Sequence, residues 1–330
     1  MTVNVIDPPE LEQEQAAANQ AVALAEPDGL EQGWPLADAN LALEDQGKRH
    51  LTRRRFLTGS ALSAAALAVY SGEFARHEIS ILTRTIGIAN LPGEFENFKI
   101  AQISDIHFDE YTEPEFVRRV VVQVNRLAPD LVLLTGDYIS SGPLSHKFAE
   151  EAMGHCAQVL RGLKCPLRYA ALGNHDALLG EAIVRESLTG AMVPLLVDQH
   201  LPIERGSQRL WLAGANDPIN SFPDLSLAIP ERPDGPVLLM SHGPDFADKV
   251  LAHPRGRLVD LMLSGHSHGG QVRLPLLGAL SLPEGGRKYV EGLFRLGKMQ
   301  LYVNRGIGTV GLPFRLNCPP EITLLTLKSS

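Results

Sequence analysis

The sequence predicts an α/β fold in which several strand ends converge on one crevice. Three observations carry this. From about residue 78 onward, short apolar runs alternate with segments of helical spacing. Five of the runs stop at the same punctuation, a Gly or Ser beside Asp, Asn or His. The composition, 44% hydrophobic and 21% charged with 30 Gly and 23 Pro, suits a loop-rich globular enzyme better than a helical bundle.

Taken in order, residues 78–88 alternate as a strand. Residues 98–105 read as a buried strand closing on Asp105, and 114–129 as a helix with Pro114 in its first turn. Residues 130–137 form a second buried strand ending in Gly136-Asp137, 146–163 a helix, and 166–176 a strand ending in Gly-Asn-His-Asp. Short strands are expected at 193–197, 201–205 and 208–214. Residues 236–243 and 258–268 repeat the design of a strand followed by ligand-type side chains. Residues 287–296, 299–306 and 321–327 read as closing strands. No internal repeat is present.

The net charge of −8 is a property of one end. Residues 1–47 hold ten acidic residues and no Lys or Arg, and the remaining 28 acidic and 30 basic residues nearly balance. A balanced catalytic part argues against nucleic acid as a partner. Cys156, Cys165 and Cys318 include no C-x-x-C pair, so inert buried thiols are expected rather than a disulfide framework.

Three segments follow from these patterns: 1–47, a disordered acidic segment; 48–72, an export signal or anchor; and 78–330, the catalytic domain. Within 48–72, Thr52-Arg53-Arg54-Arg55-Phe56-Leu57 resembles the twin-arginine signal, with a weakly apolar run of Ala, Ser and Gly behind it. The apolar run from Phe56 to Tyr70 is 15 residues, short of the roughly 20 that span a bilayer. Ala66-Leu67-Ala68 suits a cleavage site, and retention as an anchor is the other reading. The signal implies the twin-arginine export machinery as a partner. It places the protein in the periplasm or on the outer face of the cytoplasmic membrane, with association to that membrane.

The five strand ends supply Asp105 and His107; Asp137; Asn174, His175 and Asp176; His242; and His266 and His268. Loops at the carboxyl ends of strands gather in one crevice. Carboxylate, imidazole and amide oxygen without thiolate suit Mn, Fe or Zn. The donors are too many for one tetrahedral ion, which points to two divalent ions. Gly136, Gly173 and Gly265 each precede a ligand and permit the turn that presents it.

The ordered series D-x-H, G-D, G-N-H-D, H and G-H-x-H resembles the calcineurin-like metallophosphoesterase superfamily. The motifs run from about Lys99 to Gln271. With residues 301–316, the chain is similar to a bacterial subgroup of exported or membrane-associated members that includes UDP-diacylglucosamine pyrophosphohydrolase-like enzymes. The resemblance implies a four-layer α/β/β/α sandwich of two mixed sheets. It implies one ion held by Asp105, His107 and His268, a second by Asn174, His242 and His266, and Asp137 bridging both. His175 then stands beside the phosphate, and Asp176 orients His175, with a turn-capping aspartate as the competing reading. The expected activity is hydrolysis of phosphodiester or pyrophosphate bonds, a hydroxide shared by the ions attacking phosphorus in line. The expected substrate is an envelope or lipid-linked phosphoester. Arg305 is a candidate phosphate anchor or, equally, an ion-paired arginine. Residues 308–314 pack the core or line a lipid path. The alternatives are an amidohydrolase, disfavoured because there the His-x-His comes early; a phosphoesterase-fold metal-binding scaffold without turnover; and a lipid-binding protein with a structural metal.

Overall fold

The structure is a computed structural model that describes residues 52–109, 111–140 and 146–330. The expectations for residues 1–47 lie outside the described residues, as do 48–51.

Two mixed sheets form the centre. The first has the order β1 (Ser80–Ile88), β13 (Glu321–Ser329), β2 (Lys99–Ile103), β3 (Leu131–Leu134) and β4 (Arg168–Ala170). Its pairs are parallel except β13 with β2. The second has the order β11 (Gly292–Leu296), β12 (Met299–Val303), β8 (Val259–Ser264), β7 (Val237–Met240), β6 (Gln208–Gly214) and β5 (Gln199–Arg205). It is parallel inside and antiparallel at both edges.

The layering follows from side-chain alternation. In β3, Leu131 and Leu133 join a core shared with Leu238 and Leu261 of the other sheet. Val132 and Leu134 point the other way, onto helices α2 (Pro114–Leu127) and α3 (His146–Leu160). Strands buried on both faces read as unbroken apolar runs. The outer face of the second sheet is covered by α6 (Leu225–Ala228) and α7 (Ala247–Ala252) through Leu225 and Val250. The result is the expected four layers. In α2 the apolar set Phe116, Val117, Val120, Val121 and Val124 recurs at helical spacing and is buried, and Ala128, at φ 46°, ends the helix.

Two expectations change. Residues 193–197 make a single bridge, Leu195 to Ala170, rather than a strand. Pro194 has no N–H to extend the ladder. The strand expected over 166–176 ends at Ala170, and Asn174-His175-Asp176 open α4 (Asn174–Leu179), followed by α5 (Glu181–Gly190). At the other end of the described chain, α1 (Arg53–Val69) buries none of its residues. No helix among the described residues is long and apolar enough to cross a membrane.

Candidate active site

The ligand-type residues lie just past the carboxyl ends of β2, β3, β4, β7 and β8, and the backbone that presents them is unusual. Asp105, His107, Asp137, His266 and His268 all have positive φ, between 45° and 70°. Strand β2 stops at Ile103, and the chain then coils through left-handed residues. Such positions are uncommon outside glycine, and Asp and His are among the types that tolerate them. Clustered at one place, they mark strain that the surrounding structure holds. Part of that hold is visible: Asp105 N–H donates to Gly136 O (2.9 Å) and His107 N–H to Asp137 O (3.1 Å).

The turns leave no room for side chains beneath the ligands. A Cβ on Gly265 would land on Ser104 Oγ and Asp105 Oδ2, and one on Gly173 on Asp137. These two glycines are therefore required for close approach, a stronger role than an ordinary turn glycine has.

The side chains form two groups. In one, Asp105, His107 and His268 bring ligand atoms within 4.8 Å of one another; in the other, Asp137, His242 and His266 do the same. The groups touch. Asp137 Oδ2 lies 3.0 Å from His242 Nε2 and 3.5 Å from His107 Nε2. Asp105 Oδ1 lies 3.3 Å from His268 Nε2 and 3.8 Å from His242 Nε2. His175 stands with its ring edge-to-face on His107, 4.9 Å between centroids, and shares a third cluster with His107 and Asp137.

The donor set fits divalent ions. His242 Nδ1 donates to Thr135 O (2.7 Å) and His266 Nε2 to Glu284 O (2.7 Å). A carbonyl only accepts, so in the neutral rings the other nitrogen, Nε2 of His242 and Nδ1 of His266, carries the lone pair. Asn174 Oδ1 is buried without a hydrogen-bond partner among the described residues. His107 Nε2 and His268 Nε2 face each other at 3.0 Å. Opposed lone pairs repel unless a proton or cation lies between them.

The electrostatics agree. Burial pushes the pKa of His107 down to about 3 and that of His266 to about 4, and holds His268 well below the usual range. Near neutral pH these three imidazoles are uncharged, as ligands must be. Burial also opposes ionisation of Asp137, yet His242, His175 and His107 outweigh it and keep the carboxyl well below its ordinary value. Burial disfavours charge on His242 too, but Asp137 and Asp105 push its pKa up to about 10. Burial raises Asp105 to about 6.

For two residues the geometry agrees with the competing reading. Asp176 is fully buried, and its two oxygens accept backbone N–H groups: Oδ2 from Asp137 (2.7 Å) and Gly173 (2.9 Å), Oδ1 from Tyr138 (2.9 Å). It acts as a capping aspartate that ties the Asp137 turn to the start of α4. Arg305 is not part of the pocket wall; its Nε donates to Glu321 Oε2 at 2.6 Å. That contact agrees with the ion-paired reading of Arg305. Sequence reasoning overlooked Arg315. It is fully buried and donates to the carbonyls of Gly308, Arg305 and Cys318, so it braces the loop whose Ile307 and Gly308 N–H groups bond Asp105 O. No local pattern distinguishes it from Arg305.

His107, Asp137, Asn174, His175, His266 and His268 line a cavity of about 390 Å³ together with Val272, Leu280, Val310 and Leu312. The pocket therefore combines ligand-type and apolar side chains.

Comparison with known proteins agrees with this chemistry. The family profile described as calcineurin-like phosphoesterase matches residues 98–270. A Bacillus subtilis protein, the uncharacterized metallophosphoesterase YkuE, is 35% identical over 301 residues, which is 86% of this chain and 99% of its own. The Escherichia coli phosphodiesterase YaeI is 30% identical over 84% of this chain and 99% of its own. The UDP-2,3-diacylglucosamine pyrophosphatase LpxG of Chlamydia trachomatis is 26% identical over 82% of this chain and 96% of its own.

Proposed function

Because the chain belongs to the calcineurin-like phosphoesterase family, a family of metal-dependent phosphoester hydrolases, we propose that it cleaves phosphodiester or pyrophosphate bonds with two divalent ions. The observation that carries this is the pair of carboxylate–imidazole groups that meet at Asp137, with the unpartnered Asn174 oxygen beside them. Asp105, His107 and His268 would hold one ion, Asn174, His242 and His266 would hold the other, and Asp137 lies where the two groups meet. Ions so held polarise phosphoryl oxygens and lower the pKa of water at the site. Mn, Fe and Zn, alone or mixed, suit these donors.

The chain's own groups do the rest. The turns at Asp105 and Asp137 keep the donors in place before substrate arrives, so little reorganisation is needed. His175 N–H donates to Asp137 Oδ1 (2.9 Å), which fixes the start of α4 and holds the His175 ring at the pocket. From there His175 gives a proton to the departing oxygen. His175→Ala is expected to spare metal content and to lower kcat about 10²–10⁴-fold for poor leaving groups, and less for p-nitrophenolate. Equal losses across a leaving-group series would remove the proton-donor role.

The apolar wall beside the ions supports an amphiphilic, lipid-linked phosphoester as substrate. The pyrophosphatase activity named for the chlamydial relative points the same way. Export by the twin-arginine route, to the periplasm or the outer face of the cytoplasmic membrane, is supported by Arg53-Arg54-Arg55-Phe56-Leu57 at the head of α1.

The test is reconstitution with Mn²⁺, counting of ions per chain, and hydrolysis of bis-p-nitrophenyl phosphate and of a diacyl-sugar pyrophosphate. Two ions per chain and turnover abolished by a chelator are expected. Two bound ions with neither substrate cleaved would leave a metal-binding scaffold as the reading.

A further inference from the structure

The pocket opens on an apolar rim for which the folded core has no use. Leu276 and Leu277 sit at the tip between β9 (Arg273–Leu274) and β10 (Gly278–Ala279), 107% and 77% exposed. Leu276 also has φ 67°. That left-handed turn position favours Gly or Asn. Leucine there adds backbone strain to apolar exposure, two costs with no gain inside the chain.

The tip is continuous with the pocket mouth. Leu280 N–H donates to Val272 O. The Gln271 side chain donates to the carbonyls of Val310 and Leu312 and accepts from Val310 N–H, so it stitches the hairpin to the 308–314 loop. Leu280, Val310 and Leu312 are exposed and line the pocket. The same loop carries the root of α1. Phe314 lies against Gly72, and Arg315 N–H donates to Ser71 O (3.1 Å).

Helix α1 indicates what covers this rim. Its exposed Phe56, Leu57, Leu62, Leu67 and Val69 are spread around the whole circumference at 100° per residue. A protein groove buries one stripe of a helix; a lipid layer surrounds all of it. Arg53, Arg54 and Arg55, all exposed, open the helix with three cations suited to anionic headgroups.

We propose that the hairpin tip and the 308–314 loop dock into an anionic lipid bilayer beside α1, with the pocket mouth at the membrane surface. On the phosphoester-hydrolase reading, the pocket then takes the headgroup of an amphiphile directly from the leaflet while its apolar part stays against Leu280, Val310 and Leu312.

The experiment uses the full chain with vesicles of phosphatidylcholine and phosphatidylglycerol. Leu277→Trp adds a reporter to the two native tryptophans. Its emission is expected to shift to the blue on binding and to be quenched by bromine-labelled acyl chains. The double variant Leu276→Ser, Leu277→Ser is expected to bind vesicles about tenfold or more weakly. A chain that does not bind the vesicles overturns the proposal, as does a bound chain whose added emission ignores bromolipid. A lipid-independent dimer lost in the double variant overturns it in favour of a second copy as occupant. Turnover of bis-p-nitrophenyl phosphate in water is read separately. Its absence with docking intact counts against the hydrolase reading and not against this face.

Discussion

Asp137→Asn is expected to lower kcat on bis-p-nitrophenyl phosphate by about 10³-fold with the fold intact. The substitution preserves shape and removes one negative charge from the point where the two ligand groups meet. At about 4 Å and an effective dielectric near 20, a unit charge pair is worth about 4 kcal/mol, or about three orders of magnitude in rate. An Asn oxygen still accepts the His175 N–H that Asp137 Oδ1 holds at 2.9 Å. The neutral amide then stands 3.0 Å from His242 Nε2 in place of a carboxylate oxygen. The lost charge also weakens attraction for cations, so fewer bound ions are expected as well. The measurement is kcat together with ions per chain. A fully metallated variant with near wild-type turnover would remove Asp137 from the centre of the mechanism.

Asp176→Ala is expected to act on stability first. Its carboxylate accepts three buried backbone N–H groups, from Asp137, Tyr138 and Gly173. Each donor left without a partner costs about 1–3 kcal/mol, so a loss of about 3–9 kcal/mol is expected. For a chain of this size that lowers the melting temperature by about 10 °C or more. Activity falls because the Asp137 turn and the start of α4 lose their common tie. A carboxylate acting only through the His175 ring would change the pH profile of kcat and leave the urea midpoint near wild type. That pattern would restore the orienting role expected from the motif.

The fold was legible where burial is two-sided. Runs such as 130–134 have no polar face, so strand identity and position survive in the bare sequence. Residues 193–197 and 174–176 misled. Pro194 interrupts an otherwise apolar run, and the short helix α4 begins after a glycine that also suits a strand end.

The donor types and their order along the chain were readable from the sequence, because each lies within a few residues of a strand end and the motif is local. Folding alone decided the partners. Asp105 and His107 meet His268 through left-handed backbone that no side-chain pattern announces. Asp176 accepts three backbone N–H groups, and Arg315 is buried while Arg305 is paired with Glu321. In sequence these residues differ only in number. Their chemistry differs because hydrogen-bond partners and desolvation are set by neighbours up to 161 positions away, as between His266 N–H and Asp105.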